Sequence, residues 1–361
     1  MVDSAQKWWA VPRSGGPCPP YGLVAMNNTV TVIMTVKNDR DACATTLNSL
    51  LEQTHKPDEI IITDGGSIDG TRELILGYRA KHPHLRMIDA PGTNIACGRN
   101  MAANAGTSRL IACTDAGCRL AADWLERLLE PFERDVKIEF VAGFYRIDAH
   151  TLLEEVVGLA TMRGQLDPVC PETFNPSARS MACTKQVWIK AGGWPEWLGF
   201  SEDTLFDHKV RKMNVGWAFA GDAIAHWRPR SSIRSIARQF FNYGTGRGQT
   251  QIDAPSFAYN LRNLVLVLAT GAGCWVSPLV IPIWVALLAY FYVWAFHVQS
   301  WRIARHVQRK GTYPLSLLVQ WIVLFSNLAG YVKGSWQRWR DRERFADQME
   351  TYLSAATAQG G

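Results

Sequence analysis

The first 140 residues alternate between short apolar runs and longer stretches with apolar residues at helical spacing. The run from 30 to 36, Val-Thr-Val-Ile-Met-Thr-Val, predicts a buried strand because β-branched residues dominate it. Strands alternating with helices at these lengths predict a mostly parallel α/β sheet with both faces covered. Further strands are predicted at 59–63, 85–88 and 110–114, with helices after each of the four.

Two aspartates directly follow predicted strands. Asp64 ends the second strand, and Asp115 ends the strand that begins at Leu110. Open sheets of this kind bind ligands beyond the carboxyl ends of their strands, so we expect a site there. The first strand is not followed by G-x-G-x-x-G, which argues against a dinucleotide-dependent oxidoreductase.

After about residue 250 the pattern changes to long apolar runs. Residues 263–276 and 278–296 contain no charged side chain, and a third apolar run covers 315–332. Runs near roughly 17–25 residues predict membrane helices, here two or three, and the many Trp and Tyr residues at their ends are typical of interfacial anchors. A buried hairpin of soluble helices is the weaker alternative.

The net charge of +6 is small, with 38 basic against 32 acidic residues, and no nucleic-acid partner is predicted. The excess is concentrated between 228 and 247, where five arginines occur without any acidic residue. Such a segment beside an apolar region predicts an interfacial basic helix near 231–247 that contacts membrane lipids from the cytoplasmic side. The five are Arg228, Arg230, Arg234, Arg238 and Arg247.

The eight cysteines are scattered without a C-x-x-C pair, and residues 1–29 contain no apolar signal segment. We therefore expect a multi-pass protein of the cell membrane with a cytoplasmic catalytic domain. The predicted regions are a tail at 1–29, a catalytic domain at 30–250, a membrane region at 256–335 and a charged tail at 336–361. Removal of 256–361 is expected to leave a foldable domain.

Six elements, taken in order and spacing, resemble family 2 of the inverting glycosyltransferases, which have the GT-A fold. The resemblance covers roughly residues 30–247. It implies a Rossmann-like, mostly parallel sheet, a nucleotide-sugar donor and, with the apolar runs, C-terminal transmembrane helices. The elements are Val32-Ile33-Met34-Thr35-Val36-Lys37-Asn38-Asp39, Glu59-Ile60-Ile61-Ile62-Thr63-Asp64-Gly65-Gly66-Ser67-Ile68-Asp69-Gly70-Thr71, Gly98-Arg99-Asn100, Thr114-Asp115-Ala116-Gly117, Gly192-Gly193-Trp194 and Glu202-Asp203.

The donor side of the expected site starts at the first two strand ends. Asp64, beside two glycines, could accept hydrogen bonds from a base or ribose; alternatively it caps its turn with Ser67 and Asp69. The resemblance places Thr35 and Asn38 on the same side. Arg99 is a candidate clamp on base or phosphate, and a solvated helix-face arginine is its competitor.

Asp115 resembles the family's D-x-D element, which implies that it holds Mg²⁺ or Mn²⁺ against the donor phosphates. The sequence departs from that pattern, because Gly117 stands where the second aspartate is often found. One carboxylate plus phosphate oxygens can still hold a hard cation. His226, at the end of an apolar strand, could join the metal or be an ordinary core or surface histidine.

Transfer with inversion needs a base that takes a proton from the acceptor hydroxyl. Asp203 matches the aspartate of the family's E-D element, and Glu202 is the alternate base or a supporting partner. Acidic residues also begin helices for structural reasons alone, which is the competing interpretation.

Gln239 lies where membrane synthases of this family carry Q-x-x-R-W, but the arginine and tryptophan are absent, which argues against a processive synthase. The predicted function is transfer of one sugar from a UDP- or GDP-sugar to a lipid-linked or otherwise membrane-held acceptor. The alternatives are a polyprenyl-phosphate monosaccharide synthase, a nucleotidyltransferase, and a non-catalytic membrane scaffold with a degenerate glycosyltransferase domain.

Overall fold

The computed structural model describes residues 28–162 and 164–354. The tail expected at 1–29 therefore lies almost wholly outside the described residues. Eight strands form one sheet: β1 (Val30–Val36), β2 (Glu59–Asp64), β3 (Leu85–Asp89), β4 (Leu110–Cys113), β5 (Cys118–Leu120), β6 (Ile138–Ile147), β7 (Met181–Thr184) and β8 (Gly216–Trp227).

The strand order is β3-β2-β1-β4-β7-β6-β8-β5. β1 pairs in parallel with β2 and β4, and β2 pairs in parallel with β3, so these strands end at one edge as expected. Beyond β4 the sheet is mixed, because β7 runs antiparallel to both β4 and β6. The predicted α/β sheet, followed along the chain by apolar helices, is confirmed.

Helices cover both faces of the sheet, and two separate clusters of buried apolar side chains fill the layers between them and the strands. Side chains of a central strand alternate between the two layers: Val32 and Met34 lie in one, and Ile33 in the other. The helices are α1 (Arg40–Leu51), α2 (Thr71–Lys81), α3 (Ile95–Ala105), α4 (Trp124–Arg134), α5 (Leu152–Thr161), α6 (Lys185–Ala191) and α7 (Glu202–Lys212).

The remaining chain is helical. Within the described residues, two continuous helical stretches, Pro278–Val307 and Thr312–Arg340, are long and apolar enough to cross a membrane, and only 11% and 22% of their most apolar windows are buried. The helix Ala254–Gly273, which holds most of the first predicted run at 263–276, does not meet these criteria. The helices are α8 (Ile233–Thr250), α9 (Ala254–Gly273), α10 (Ile281–Tyr292), α11 (Val298–Val307), α12 (Thr312–Arg340) and α13 (Arg342–Ser354), with a 3₁₀ turn at Pro278–Val280 and a π turn at Val293–His297.

Helices α12 and α13 pack back onto the catalytic part of the chain. α12 lies against α8 and α5, and Tyr352 of α13 donates a hydrogen bond of 2.9 Å to the Gly193 carbonyl. Tyr352 also packs with Leu198 and Leu205 in one apolar cluster. Removing residues 256–361 would expose the surfaces of α5, α7 and α8 that these helices cover, and the expectation that residues 30–250 fold alone stays a prediction.

Candidate active site

A cavity of about 980 Å³ lies at the carboxyl ends of β1, β2 and β4. Thr35, Gly65 and Asp115 contribute the three strand ends to its wall. The opposite wall comes from α8, through Arg234, Arg238 and neighbouring residues. A cavity of this size at this edge of the sheet can hold a nucleotide sugar.

Arg99 of α3 connects two parts of the site. Its Nη2 donates to Asp115 Oδ1 at 2.8 Å, and its Nη1 donates to Glu202 Oε1 at 2.7 Å. Only 4% of the side chain is exposed. Burial opposes the charge, but Asp115 and the neighbouring carboxylates hold the pKa of Arg99 well above its ordinary value. Arg99 thus fixes the helix that carries Asp203 against the strand end that carries Asp115.

Asp115 keeps one carboxylate oxygen available. Oδ1 is taken by Arg99, whereas Oδ2 lies 3.9 Å from Arg179 Nε, which is too long for a hydrogen bond. Burial raises the pKa of Asp115, but Arg99 and Arg179 outweigh it and hold the pKa below its usual value. No group of three or more potential metal ligands exists among the described residues. A divalent ion therefore fits only as Asp115 Oδ2 plus donor phosphate oxygens and water, which Mg²⁺ accepts.

The carboxylates that the sequence predicted for the acceptor side, Glu202 and Asp203, begin α7, where Ser201 has φ of +65°. Glu202 is buried against Arg99, and burial together with Asp203 raises the pKa of Glu202 to about 6. Asp203 is partly exposed, and its Oδ1 accepts a hydrogen bond of 2.7 Å from the Thr204 amide. Asp207, one turn later, is fully buried, and neither of its oxygens has a hydrogen-bond partner in the described chain. Of these three carboxylates, Asp203 alone is not buried, and none of the three lines the cavity.

Asp64 is fully buried, and its Oδ1 accepts hydrogen bonds from Ser67 Oγ at 2.6 Å and Ser67 N at 3.1 Å. The turn cap that competes with a donor role is therefore present, and the flanking Thr63 and Gly65 line the cavity instead. The donor role of Asp64 stays a prediction. Asn38 joins the two strand-end loops, because its Oδ1 accepts from Ile68 N at 2.8 Å.

His226 is not brought to Asp115. Its neighbour Trp227 lines the cavity, and successive side chains of a strand point to opposite faces, so His226 faces away. The charged groups around it are Arg119, Asp148 and Arg146, and burial and Arg119 lower its pKa. The expected partnership of His226 with Asp115 is therefore not supported by this geometry, which matches the alternative of an ordinary histidine.

Two features of the site had no role assigned from the sequence, although Asn100 belongs to the Gly98-Arg99-Asn100 motif. Asn100, next to Arg99, holds the Gly192–Trp194 loop by two hydrogen bonds. Its Oδ1 accepts from Trp194 N and its Nδ2 donates to Trp194 O, both at 2.8 Å. The second feature is a set of arginines that line the cavity, and the four-residue spacing of Arg234 and Arg238 on α8 was the signal for part of it. Arg179, in the loop before β7, had no such signal.

The fold and this site define a GT-A glycosyltransferase domain. Residues 31–169 match the model of the glycosyl transferase family 2. The succinoglycan biosynthesis protein ExoA of Rhizobium meliloti is 23% identical over 65% of this chain and 76% of its own length. Glycosyltransferase AglE of Haloferax volcanii is 23% identical over 62% of this chain and 73% of its own length.

Among solved structures, a mannosyltransferase from Pyrobaculum calidifontis in complex with GDP-Man and Mn²⁺ superposes with a TM-score of 0.48 and 17% identity, over 91% of this chain and 86% of that one. This likeness adds no argument to the family match. Residues 31–169 thus carry a domain of glycosyl transferase family 2, and the chain is a glycosyltransferase.

Proposed function

We propose that this enzyme transfers a single sugar from a UDP- or GDP-sugar to a lipid-linked or otherwise membrane-held acceptor, with inversion at the anomeric carbon. The observation that carries the proposal is the bridge through Arg99. It joins the strand-end cavity, which suits a nucleotide sugar, to the start of α7, where the partly exposed Asp203 follows Glu202.

On the donor side, Asp115 Oδ2 would hold Mg²⁺ or Mn²⁺ together with the diphosphate. When bound, such an ion compensates the charge that grows on the leaving phosphate. Thr35 and Gly65 line the wall next to the strand ends, where the nucleoside would lie. Arg99 is a positioning residue in this scheme, since both of its terminal nitrogens are engaged by carboxylates.

On the acceptor side, Asp203 would take the proton of the attacking hydroxyl. The acceptor oxygen then bonds to the anomeric carbon as the bond from that carbon to the nucleoside diphosphate breaks, and the electron pair leaves with the phosphate. Glu202 is a poorer base, because accepting a proton would weaken its ion pair with Arg99. Displacement from the face opposite the leaving group inverts the anomeric configuration.

The membrane-held acceptor is supported by the exposed apolar helices. Leu279 and Trp275 are 84% and 94% exposed, which is unfavourable in water and favourable in lipid. α8 lies between the cavity and α12, so the donor site would sit close to the bilayer surface. We therefore place the enzyme in the cell membrane with its catalytic domain in the cytoplasm.

The test is a screen of purified protein for nucleoside diphosphate release from a panel of nucleotide sugars, with and without lipid extract. The proposal expects release from one donor class and stimulation by lipid. Release of pyrophosphate instead would identify a nucleotidyltransferase. An absence of turnover of any donor by a folded protein would support the non-catalytic scaffold.

A further inference from the structure

Arg179 is held rigidly at the cavity although no motif includes it. Its guanidinium carbon lies 4.5 Å from the centre of the Trp227 ring and 5.8 Å from that of Tyr145. Its Nη1 donates a hydrogen bond of 3.0 Å to Ser177 Oγ. Stacking on two rings and one hydrogen bond fix the plane of the guanidinium, so its remaining donors have a defined direction.

The Nε of Arg179 is buried, and no atom of the described chain accepts a hydrogen bond from it. Asp115 Oδ2, at 3.9 Å, is too distant to do so. Leaving a charged donor buried and unpaired is costly, so an acceptor from a ligand would be expected to complete the arrangement. The side chain is 18% exposed and borders the same cavity as Asp115.

The charge of the cavity wall points to the kind of ligand. Asp39 and Asp115 are the acidic residues of that wall, against six basic ones, and Arg99 is already neutralised by Asp115 and Glu202. A strongly anionic group fits this surplus. The basic residues are Lys37, Arg99, Arg179, Arg230, Arg234 and Arg238.

The set of protein ligands at the expected metal position is also incomplete. Gly117, with φ of +92°, stands where the family pattern often has a second carboxylate, so an ion at Asp115 would have a single protein ligand. A diphosphate at that place needs further positive charge to balance the charge it gains as it leaves. Arg179 lies beside the oxygen of Asp115 that Arg99 leaves available.

We propose that Arg179 binds the diphosphate of the donor directly, with Nε and the adjacent edge of the guanidinium donating to phosphate oxygens. This inference rests on the proposed function, because it takes the cavity to be the donor site. Arg179 then supplies positive charge to the diphosphate at a place where a single carboxylate, instead of two, would hold the ion. Part of the diphosphate affinity must consequently persist without any divalent ion.

The experiment measures binding of UDP and GDP by calorimetry, in excess chelator and in Mn²⁺, with uridine and guanosine as probes that lack phosphate. Wild type is compared with Arg179→Gln and Arg179→Lys. Arg146→Gln is the matched control, because Arg146 is exposed on β6 and does not border the cavity. Thermal unfolding of each variant checks that it is folded.

We expect wild type to bind one diphosphate in chelator, and Arg179→Gln to weaken that binding about 10- to 100-fold in both conditions, as for loss of a charged hydrogen bond. The diphosphate affinity of Arg179→Lys should fall between those of wild type and Arg179→Gln. The affinity of Arg146→Gln should match that of wild type. Unchanged diphosphate affinity in a folded Arg179→Gln variant would overturn the inference alone, as would an equal loss for the nucleoside. If wild type binds neither UDP nor GDP, with or without Mn²⁺, the proposed function is overturned as well.

Discussion

Arg99 determines the geometry of the site at the scale of single residues. Because one guanidinium bonds both Asp115 and Glu202, the donor-side and acceptor-side carboxylates are held by the same buried group. The sequence motif Gly98-Arg99-Asn100 indicated a donor clamp, whereas the contact with Glu202 lies 103 positions away along the chain. A pairing at that separation depends on tertiary packing and has no local signature.

Asp203→Asn should lower transfer by roughly 10²- to 10⁴-fold, because the amide cannot take the acceptor proton. Donor affinity should change little, since Asp203 makes no contact with Arg99 or Asp115 within ion-pair distance in the described chain. Turnover by nucleoside diphosphate release and donor affinity by calorimetry are measured on the same preparation. Asp222→Asn, an exposed aspartate on β8, is the control. Normal turnover in Asp203→Asn would exclude it as the base.

Asp115→Ala should abolish turnover, and excess chelator should do the same to wild type, if the ion is held by Asp115 and phosphate. Alanine also removes a partner of Arg99, so Asp115→Asn, which keeps an oxygen for that hydrogen bond, is measured alongside. Both variants should lose the gain in donor affinity that Mn²⁺ gives wild type. Full turnover of wild type in chelator would contradict the metal requirement.

At the scale of elements, the contact between α8 and α12 positions the wall of the cavity. Gly244 and Gly248 on α8 face Gly330 and Gly334 on α12, and a Cβ at any of the four would overlap a backbone carbonyl of the partner helix. Spacing of four residues on each helix permits this close approach, as in packed membrane helices. The pattern was readable in the sequence, but which helices meet was not.

Gly330→Ala should therefore force α12 away from α8 and destabilise the protein by about 1–3 kcal/mol, the usual range for overpacking. Turnover should fall too, since α8 carries Arg234 and Arg238. Gly77→Ala in α2 is the control, because its Cβ would meet no atom within 4 Å. Thermal unfolding in detergent measures the stability of both variants, and nucleoside diphosphate release measures their turnover. Equal midpoints for the two variants would show that the contact tolerates a methyl group.

Lys209 ties α7 to the C-terminal helix: its ammonium donates to the Tyr352 carbonyl and lies 4.1 Å from the centre of that ring. Burial lowers the pKa of Lys209 from 10.5 to about 8. Between these values the unfolded chain binds more protons than the folded one, so stability should rise with pH across that window and be lost as pH falls through 8.

Lys209→Met should remove that part of the pH dependence, whereas Lys212→Met, on an exposed lysine of the same helix, should retain it. Thermal unfolding midpoints between pH 8 and 10.5 measure the slope for both variants. An identical slope in wild type and Lys209→Met would mean that Lys209 titrates normally.

At the scale of the whole molecule, sequence patterns predicted the sheet but not the contacts that the C-terminal helices make with it and its helices. Strand and helix periodicity located β1 to β4 and the helices after them, because those elements are set by local burial. The boundary near 250 followed hydropathy alone. Hydropathy cannot reveal that α12 and α13 return to α5, α7 and α8, because such packing joins residues from 88 to 159 positions apart.

The site is divided in the same way between residues that local patterns predict and contacts that depend on tertiary packing. Asp115 and Asp203 were predicted from motifs and lie on the elements expected of them, a strand end and a helix start. For His226 the family resemblance left open a metal ligand or an ordinary histidine, and the alternation of β8 turns that side chain to the face away from the cavity. Arg179 was missed because it lies in a loop without periodicity and is brought to the cavity by the antiparallel half of the sheet.

The configuration of the product tests the proposed reaction most directly. Once the screen has identified a donor, NMR of the transferred sugar compares the anomeric configuration of the first product formed with that of the donor. A single displacement assisted by Asp203 must give the opposite anomer, with one nucleoside diphosphate released per sugar transferred. A product that keeps the configuration of the donor would contradict direct displacement and the role of Asp203 as base.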